Sequence, residues 1–186
     1  MQKEGPMVDQ NTELEAQTER IVVPTREQYP EIVDVINSEA DLYQVVFTAD
    51  ELESLEVGDF SVEELIAGEA TRNYLILEID GTVTGFSSWY QKNDKVAWLS
   101  MLHVSSDHQG KGVGTKLLLA VEGCVKQLGL SALALEAQRK AEWAVGFYLK
   151  RGYSILNWED LNTEPYIGTL NKLPVEATHV FGKVLE

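Results

Sequence analysis

Residues 96–115 read VAWLSMLHVSSDHQGKGVGT, which combines an apolar strand, a polar link and a glycine-rich turn. An apolar helical pattern follows directly, with Leu117, Leu118 and Val121 on one side. Glycines at such a turn let successive backbone N–H groups point into one concavity where a helix begins. Unpaired N–H groups and the helix dipole favour a phosphate or pyrophosphate there. The stretch therefore predicts an anion site, and a tight turn without a ligand is the plainer alternative.

Two familiar phosphate-binding loops do not match this turn. A P-loop requires Gly, four residues and then Gly-Lys-Ser or Gly-Lys-Thr, and the chain contains no such run. The dinucleotide fingerprint Gly-x-Gly-x-x-Gly is matched at Gly110 and Gly112 but has Thr115 in place of its third glycine, although Glu136 lies near the position of its ribose-binding acid. ATP or GTP hydrolysis is therefore disfavoured, and a nicotinamide-dependent oxidoreductase is kept as a third alternative.

Strand and helix patterns alternate around the turn. The pair Asp80-Gly81 is a hairpin signal between two strands, and a polar break at 92–95 precedes the strand 96–104. A helix over 114–128 leads to a strand over 130–137, and this crossover implies that the strands 96–104 and 130–137 are parallel. The other predicted elements are the strands 21–23, 74–79, 82–86, 153–158 and 178–184, the helices 29–40, 48–55, 61–67 and 141–151, and a long loop over 161–177.

This order predicts a mixed α/β fold with a mostly antiparallel central sheet, one parallel pair of strands and helices on both faces. A chain of 186 residues with 44% apolar residues can fill one core, which argues against two enzyme domains. Residues 1–19 are polar and show no period, so they are predicted to be a flexible N-terminal tail. Residues 20–186 are predicted to form a single domain.

The composition excludes several classes of protein. The net charge of −15 argues against binding to nucleic acid or to an anionic membrane surface, and all of this excess lies in residues 1–70, which hold 18 acids and 3 basic residues. No apolar run is long enough for a membrane span, and the polar start lacks a secretion signal. Cys124 is the only cysteine, which excludes an internal disulfide or a multi-thiolate zinc site and indicates a cytoplasmic location.

Two motifs carry a resemblance to a known family. Leu102-His103-Val104, followed by the run Gln109 to Gly114, resembles the strand and the Gln/Arg-x-x-Gly-x-Gly/Ala loop of the GNAT superfamily of acetyl-coenzyme A-dependent N-acetyltransferases. A second stretch resembles the next strand and helix of that family. It comprises Leu135-Glu136-Ala137, Ala144, Phe147-Tyr148, Lys150 and Gly152-Tyr153. One departure is Ala141, where many members carry an asparagine seven residues before the tyrosine.

The resemblance implies where acetyl-coenzyme A (acetyl-CoA) binds. In the family the two parallel strands splay apart, so that backbone groups of residues 102–104 are left free to pair with the pantetheine amides. The pyrophosphate then lies on the N–H groups of residues 110–115. Lys111 and Lys116 are candidates for additional charge near the phosphates. The implied cofactor-binding residues are Leu102, His103, Val104, Gln109, Gly110, Lys111, Gly112, Val113, Gly114 and Thr115.

Acetyl transfer to an amine also requires groups that handle protons. The resemblance makes Tyr148 the general acid that protonates the departing thiolate, and the alternative is that it only packs its helix on the sheet. His103 and Glu136 are the candidates for the general base. A water relay to either of them, or no protein base at all, is equally compatible with the sequence.

The sequence therefore predicts an N-acetyltransferase that acts on the primary amine of a small, cationic acceptor or of a peptide. The acceptor charge follows from the acidic first third, which would attract cations. The alternative is a catalytically degenerate protein that binds an acyl-CoA as a sensor or structural ligand, which the departure at Ala141 keeps open. No metal is expected, and a homodimer is left open.

Overall fold

The computed structural model describes residues 18–55, 59–170 and 177–186, with the side chains of residues 54 and 55 excepted. Most of the predicted N-terminal tail, residues 1–17, lies outside the described residues, and Glu19 already belongs to the first strand. The strands are β1 (Glu19–Val22), β2 (Asn73–Ile79), β3 (Thr82–Gln91), β4 (Val96–Val104), β5 (Ala132–Gln138), β6 (Ser154–Ile155) and β7 (Thr178–Val184). The helices are α1 (Tyr29–Asn37), α2 (Ala40–Gln44), α3 (Ala49–Leu55), α4 (Val62–Gly68), α5 (Val113–Gln127), α6 (Glu142–Leu149) and α7 (Trp158–Leu161).

Seven strands form one sheet in the order β1-β2-β3-β4-β5-β7-β6. All neighbours are antiparallel except β4 and β5, which are parallel because α5 crosses between them. The hairpin between β2 and β3 turns at Asp80 (φ 52°) and Gly81 (φ 80°), the backbone form that an Asp-Gly turn favours. The predicted mixed α/β fold is thereby confirmed.

Helices cover both faces of the sheet because the central strands alternate between two apolar sets. Tyr74 and Ile76 of β2 face α1 and α4, where they pack with Phe86 of β3. Leu77, on the opposite face, packs with Val113 and Leu117 of α5. A larger core on the side of α5 continues under α6 and contains Leu118, Val121, Leu133, Leu135, Tyr153 and Phe181. Strands buried on both faces read as continuous apolar runs, which is the pattern of β2 and β5.

Three predicted elements differ from the structure. The strand expected over 82–86 continues to Gln91, because its later residues pair with both β2 and β4. The helix expected over 29–40 is divided at Ser38, which separates α1 from α2. The strand expected over 153–158 has only two residues, because Asn157 caps α7: its side chain accepts a hydrogen bond from the Asp160 N–H at 2.9 Å.

Candidate active site

The parallel strands β4 and β5 separate halfway along their length. Their register ends at Leu99 and Leu135. Beyond this point β4 still pairs with β3 as far as Val104, and β5 still pairs with β7 as far as Gln138. The edge of β4 that faces β5 is therefore left open, which matches the splayed pair that the resemblance implies.

A β-bulge in β4 marks the beginning of this gap. Leu99 pairs with Trp89 and Met101 pairs with Ser88, so Ser100 is an extra residue in β4. Bulges bend their strand, which gives a physical cause for the separation from β5. The Ser100 hydroxyl is buried and has no hydrogen-bond partner within the described chain.

A cavity of about 650 Å³ occupies the gap. Of the predicted site residues, the two lysines Lys111 and Lys116 do not line it. All the other predicted site residues line the cavity: Leu102, His103, Val104, Gln109, Gly110, Gly112, Val113, Gly114, Thr115, Glu136 and Tyr148. We call the part formed by residues 110–115 the loop end, and the part formed by Glu39, His103 and Glu136 the acidic end.

At the loop end the backbone itself provides the donors. Gly110 (φ 73°) and Gly112 (φ 88°) adopt a backbone conformation that favours glycine, and Gly112 is the N-cap of α5. No side chain caps this helix, and its first turn contains no acidic residue. The first intrahelical bond runs from the Lys116 N–H to the Gly112 carbonyl at 3.1 Å, so the N–H groups of residues 113–115 precede it and are available to an anion.

A cation that the sequence did not indicate lies beside these donors. The Arg151 Nε donates to the Thr115 Oγ1 at 3.1 Å, and Nη1 donates to the Phe147 carbonyl at 2.8 Å. The guanidinium carbon lies 3.6 Å from the centre of the Phe147 ring, so the charge is held in place by stacking. Lys116, a predicted candidate, instead forms an ion pair with Glu19. No local pattern marks Arg151, because its position depends on how α6 packs against α5.

Tyr148 lies between the cavity and the core. Its side chain is 8% exposed, and its ring contacts those of Phe147, Tyr153 and Phe181 at 5.1 to 5.6 Å between centroids. Burial raises the pKa of Tyr148 above its ordinary value, with smaller contributions from Tyr43 and Glu39. Its hydroxyl makes no hydrogen bond to the described residues and therefore remains available as a donor.

His103 is paired with a carboxylate that the sequence did not indicate. Its Nδ1 lies 2.8 Å from the Glu39 Oε2, and both side chains are largely buried. A carboxylate at Nδ1 favours the tautomer that carries its proton there, which leaves Nε2 as the acceptor. Glu39 lies where α1 gives way to α2, 64 residues before its partner, and no spacing rule connects the two.

The same carboxylate occupies part of the open strand edge. The Val104 N–H donates to the Glu39 Oε1 at 3.0 Å, and the Val104 carbonyl accepts from the Gln109 Nε2 at 3.4 Å. The expectation that all backbone groups of residues 102–104 are free is therefore wrong for Val104. Leu102, two residues earlier, directs its N–H and carbonyl to the same side of β4, where β5 has already separated.

Glu136 lines the cavity from the opposite strand, β5. Partial burial raises the pKa of its carboxyl group, and the positive charge of Lys92 opposes this increase. Its carboxylate and that of Glu39 thus face the cavity from both sides of the gap. The acidic end carries negative charge, whereas Arg151 brings positive charge to the loop end.

Helix α2 closes the side of the cavity next to the acidic end. Tyr43 lies in the lining, and its ring meets that of Trp143 in α6 edge-on at 5.5 Å. Burial raises the pKa of Tyr43. An ion pair between Lys140 and Glu51 of α3 adds a second contact across the same opening. The acidic first third of the chain therefore forms a wall of the cavity.

Ala141 is buried in the lining at the beginning of α6, as its N-cap. Alanine provides no side-chain hydrogen bond there, whereas an asparagine would be a favoured N-cap residue. At this position the side-chain amide of the family's asparagine would reach both the beginning of α6 and the cavity.

Two kinds of feature are not found in the described residues. In the ranges that the structure covers, no His, Cys, Asp and Glu side chains form a group of three or more that could hold a metal ion. No helix within those ranges has the length and apolar character needed to cross a lipid bilayer.

The chain matches a family model over residues 33–153, which is well over half of its length. The model describes the acetyltransferase (GNAT) family. The protein therefore belongs to the acetyltransferase (GNAT) family. The matched range contains both cavity strands, the glycine-rich turn and Tyr148.

Solved structures share the fold at low sequence identity. The chain is similar to the PaiA N-acetyltransferase of Thermoplasma acidophilum in complex with coenzyme A, with 20% identity, a TM-score of 0.70 and coverage of 90% of this chain and 99% of that chain. It is also similar to a GCN5-related N-acetyltransferase of Rhodopseudomonas palustris, with 20% identity, a TM-score of 0.68 and coverage of 90% and 96%. These similarities show the fold.

A curated relative is similar over a shorter range. An amino-acid acetyltransferase of Ralstonia nicotianae is 32% identical over 90 residues, which are 48% of this chain. The chain spans only 19% of the length of that relative.

Proposed function

We propose that the protein transfers the acetyl group of acetyl-CoA to the primary amine of a small, cationic acceptor. The observation that carries the proposal is one cavity that joins the uncapped end of α5, the open edge of β4 and the Tyr148 hydroxyl. The proposal includes a cytoplasmic location, which a lone cysteine favours.

The residues of the cavity fit acetyl-CoA. The N–H groups of residues 113–115 and the Arg151 guanidinium would hold the phosphates. The backbone of Leu102 and the unpartnered Ser100 hydroxyl would meet the amides of the pantetheine arm. Acetyl-CoA supplies an activated thioester, whose sulfur leaves as a thiolate.

Two side chains would move the protons. His103, with Nδ1 held by Glu39, has Nε2 available to take a proton from the acceptor ammonium, so that the neutral amine can attack. Tyr148 would give its hydroxyl proton to the departing thiolate and regain one from the nitrogen, which loses a proton as the amide forms. Its raised pKa keeps the hydroxyl protonated before the reaction, although it also makes the group a weaker acid. Glu136, on the opposite side of the gap, is the second candidate for the base.

The preference for a cation rests on local charges rather than on the whole first third. Several of its acids are neutralised by partners, as in the pairs of Glu69 with Arg26 and of Glu51 with Lys140. The carboxylates of Glu39 and Glu136 are the ones that face the larger cavity. An ammonium group is attracted to this end, and the amine acceptor of the curated relative, an amino acid by its name, is consistent with such a group.

The proposal is tested by incubating the protein with acetyl-CoA and a panel of cationic, neutral and acidic amines. Released thiol and the mass of the acetylated product are measured. Cationic amines are expected to give product. Tight binding of acetyl-CoA without turnover of any amine would instead support the sensor alternative, which the missing asparagine at position 141 keeps open.

A further inference from the structure

A second cavity, of about 310 Å³, lies on the face of the sheet that α4 covers. Its floor consists of Tyr74, Ser88 and Met101, which are neighbours in register on β2, β3 and β4. Residues of α4 form one wall. A cavity of this size is at the lower end of the range for small-molecule sites.

The floor contains a polar group without a partner. Ser88 is 0% exposed, and its Oγ makes no hydrogen bond to any described residue. Leaving a buried hydroxyl unsatisfied is unfavourable, so such a group in a cavity indicates a polar ligand atom.

Two opposite charges line the same cavity. Arg72 is the one arginine of the five in the chain whose guanidinium has no hydrogen bond or ion pair with described residues, although the chain is strongly acidic. Glu64 lines the cavity as well, and its Oε2 accepts hydrogen bonds from Ser61 N–H at 2.8 Å and Ser61 Oγ at 2.9 Å. A ligand that carries both a carboxylate and an ammonium group would match this pair better than a simple anion would.

The second cavity borders the acidic end. Met101 lines both cavities, and His103 is two residues further along β4 on the same face. Two residues of a strand span about 7 Å. A ligand in the second cavity therefore lies within reach of His103 through a short aliphatic chain.

We propose that the second cavity binds the head group of an α-amino acid, and that the amine acetylated is a distal one on its side chain. Arg72 would bind the α-carboxylate, Glu64 the α-ammonium, and the Ser88 hydroxyl would donate to the carboxylate. The side chain would pass Met101 and place its amine beside His103. This inference rests on the proposed function and narrows its acceptor to a diamino acid, which carries a net positive charge.

Three acceptors with the same reacting amine test the inference: L-lysine, cadaverine, which lacks the carboxylate, and 6-aminohexanoate, which lacks the α-ammonium. L-ornithine is included to vary the reach. The better diamino acid is expected to exceed both truncated amines in kcat/KM by about tenfold or more, after correction for the two equivalent amines of cadaverine. Mass spectrometry should place the acetyl group on the side-chain nitrogen.

Single variants assign the two halves of the head group. Arg72→Gln is expected to bring the ratio of kcat/KM for lysine over cadaverine close to one, and Glu64→Gln should do the same for lysine over 6-aminohexanoate. Glutamine at position 64 retains the cap of α4, because a capping box accepts Glu or Gln. Lys126→Gln, on the exposed side of α5, is the control for a change of net charge and should leave both ratios unaltered.

Equal kcat/KM for the three amines, acetylation of the α-nitrogen, or unchanged ratios in Arg72→Gln would overturn the inference while the proposed function stands. If no amine reacts, the proposed function fails, and calorimetry with L-lysine then decides about the cavity. Binding that Arg72→Gln weakens at least about tenfold would support the head-group site. Absent binding, or equal affinity of the two proteins, would contradict it.

Discussion

The loop end and the acidic end of the cavity use different parts of the chain. At the loop end the groups available to an anion are the backbone N–H groups of residues 113–115, and two glycines with positive φ precede them. At the acidic end the groups are carboxylates and an imidazole that come from three separate parts of the chain: the link between α1 and α2, strand β4 and strand β5. The loop end tolerates many different side chains but few changes in backbone conformation. The acidic end depends on individual side chains and on the contacts that hold their parts of the chain together.

The loop end should show the largest effect of a single substitution. An added Cβ at Gly112 meets no atom within 4 Å, so strain arises only from its φ, which Asn and Asp tolerate best among side-chain residues. Gly112→Asp places a negative charge beside the N–H groups and is expected to weaken acetyl-CoA binding by about a hundredfold or more in calorimetry.

Gly112→Asn is the matched control for that change. It has the same shape and the same backbone strain without the charge, so it should lose only a small part of the affinity. Circular dichroism should show both variants folded. Equal losses in the two variants would mean that shape, rather than an anion, determines binding at the loop end.

Tyr148 lines the same cavity, and the loss of its hydroxyl should affect turnover rather than affinity. Because its hydroxyl has no intramolecular partner among described residues, Tyr148→Phe removes no internal contact. We expect kcat to fall by about ten- to a thousandfold, with the dissociation constant of acetyl-CoA nearly unchanged.

Tyr153→Phe separates this effect from packing. The Tyr153 ring lies 5.6 Å from that of Tyr148, and its hydroxyl donates to Glu122 at 3.0 Å. This variant should lose about 1 to 3 kcal/mol of unfolding free energy in denaturant titrations and keep its kcat. If the two variants showed the same kinetics, Tyr148 would be a packing residue.

The difference between the two ends also explains what the sequence could predict. The loop end follows from a contiguous pattern, a strand, a glycine-rich turn and a helix, so its place in the fold could be predicted from the sequence, while its role in binding phosphates stays a prediction. The roles of Glu39 and Arg151 could not be predicted from the sequence, because each meets its partner only when elements distant in the chain pack together. Ser88 is a third case. The alternation of apolar and polar residues in β3 weakens after Phe86, so the sequence does not predict that the strand continues to Ser88. The strand continues because its later residues pair with both β2 and β4.

At the acidic end we expect Glu39 to act by positioning His103. Glu39→Gln removes the carboxylate from Nδ1 and should lower kcat/KM for the acceptor by about ten- to a hundredfold. Glu53→Gln makes the same change of charge at an exposed residue of α3 that lines neither cavity, and it should have less than about a twofold effect. Steady-state kinetics at saturating acetyl-CoA measures both. Equal effects would assign the role to net charge instead of to the contact with His103.

The smallest expected effect concerns the field of the acidic first third. If negative charge concentrates a cationic acceptor, its KM should rise with ionic strength, by about two- to fivefold between roughly 0.05 and 0.5 M salt, because exposed charges are screened within about 10 Å at 0.1 M. The effect is modest because Glu39, one of the two cavity carboxylates, is largely buried and hence less screened than surface groups. A double variant, Glu27→Gln with Glu53→Gln, removes two exposed acids that line neither cavity. If the whole acidic surface attracts the acceptor, the KM of this variant should depend less on salt. If the variant shows the same salt dependence as the native protein, the effect comes from Glu39 and Glu136. If the KM of the native protein does not change with salt, the acidic first third serves solubility, and the amine is recognised by contacts inside the cavity.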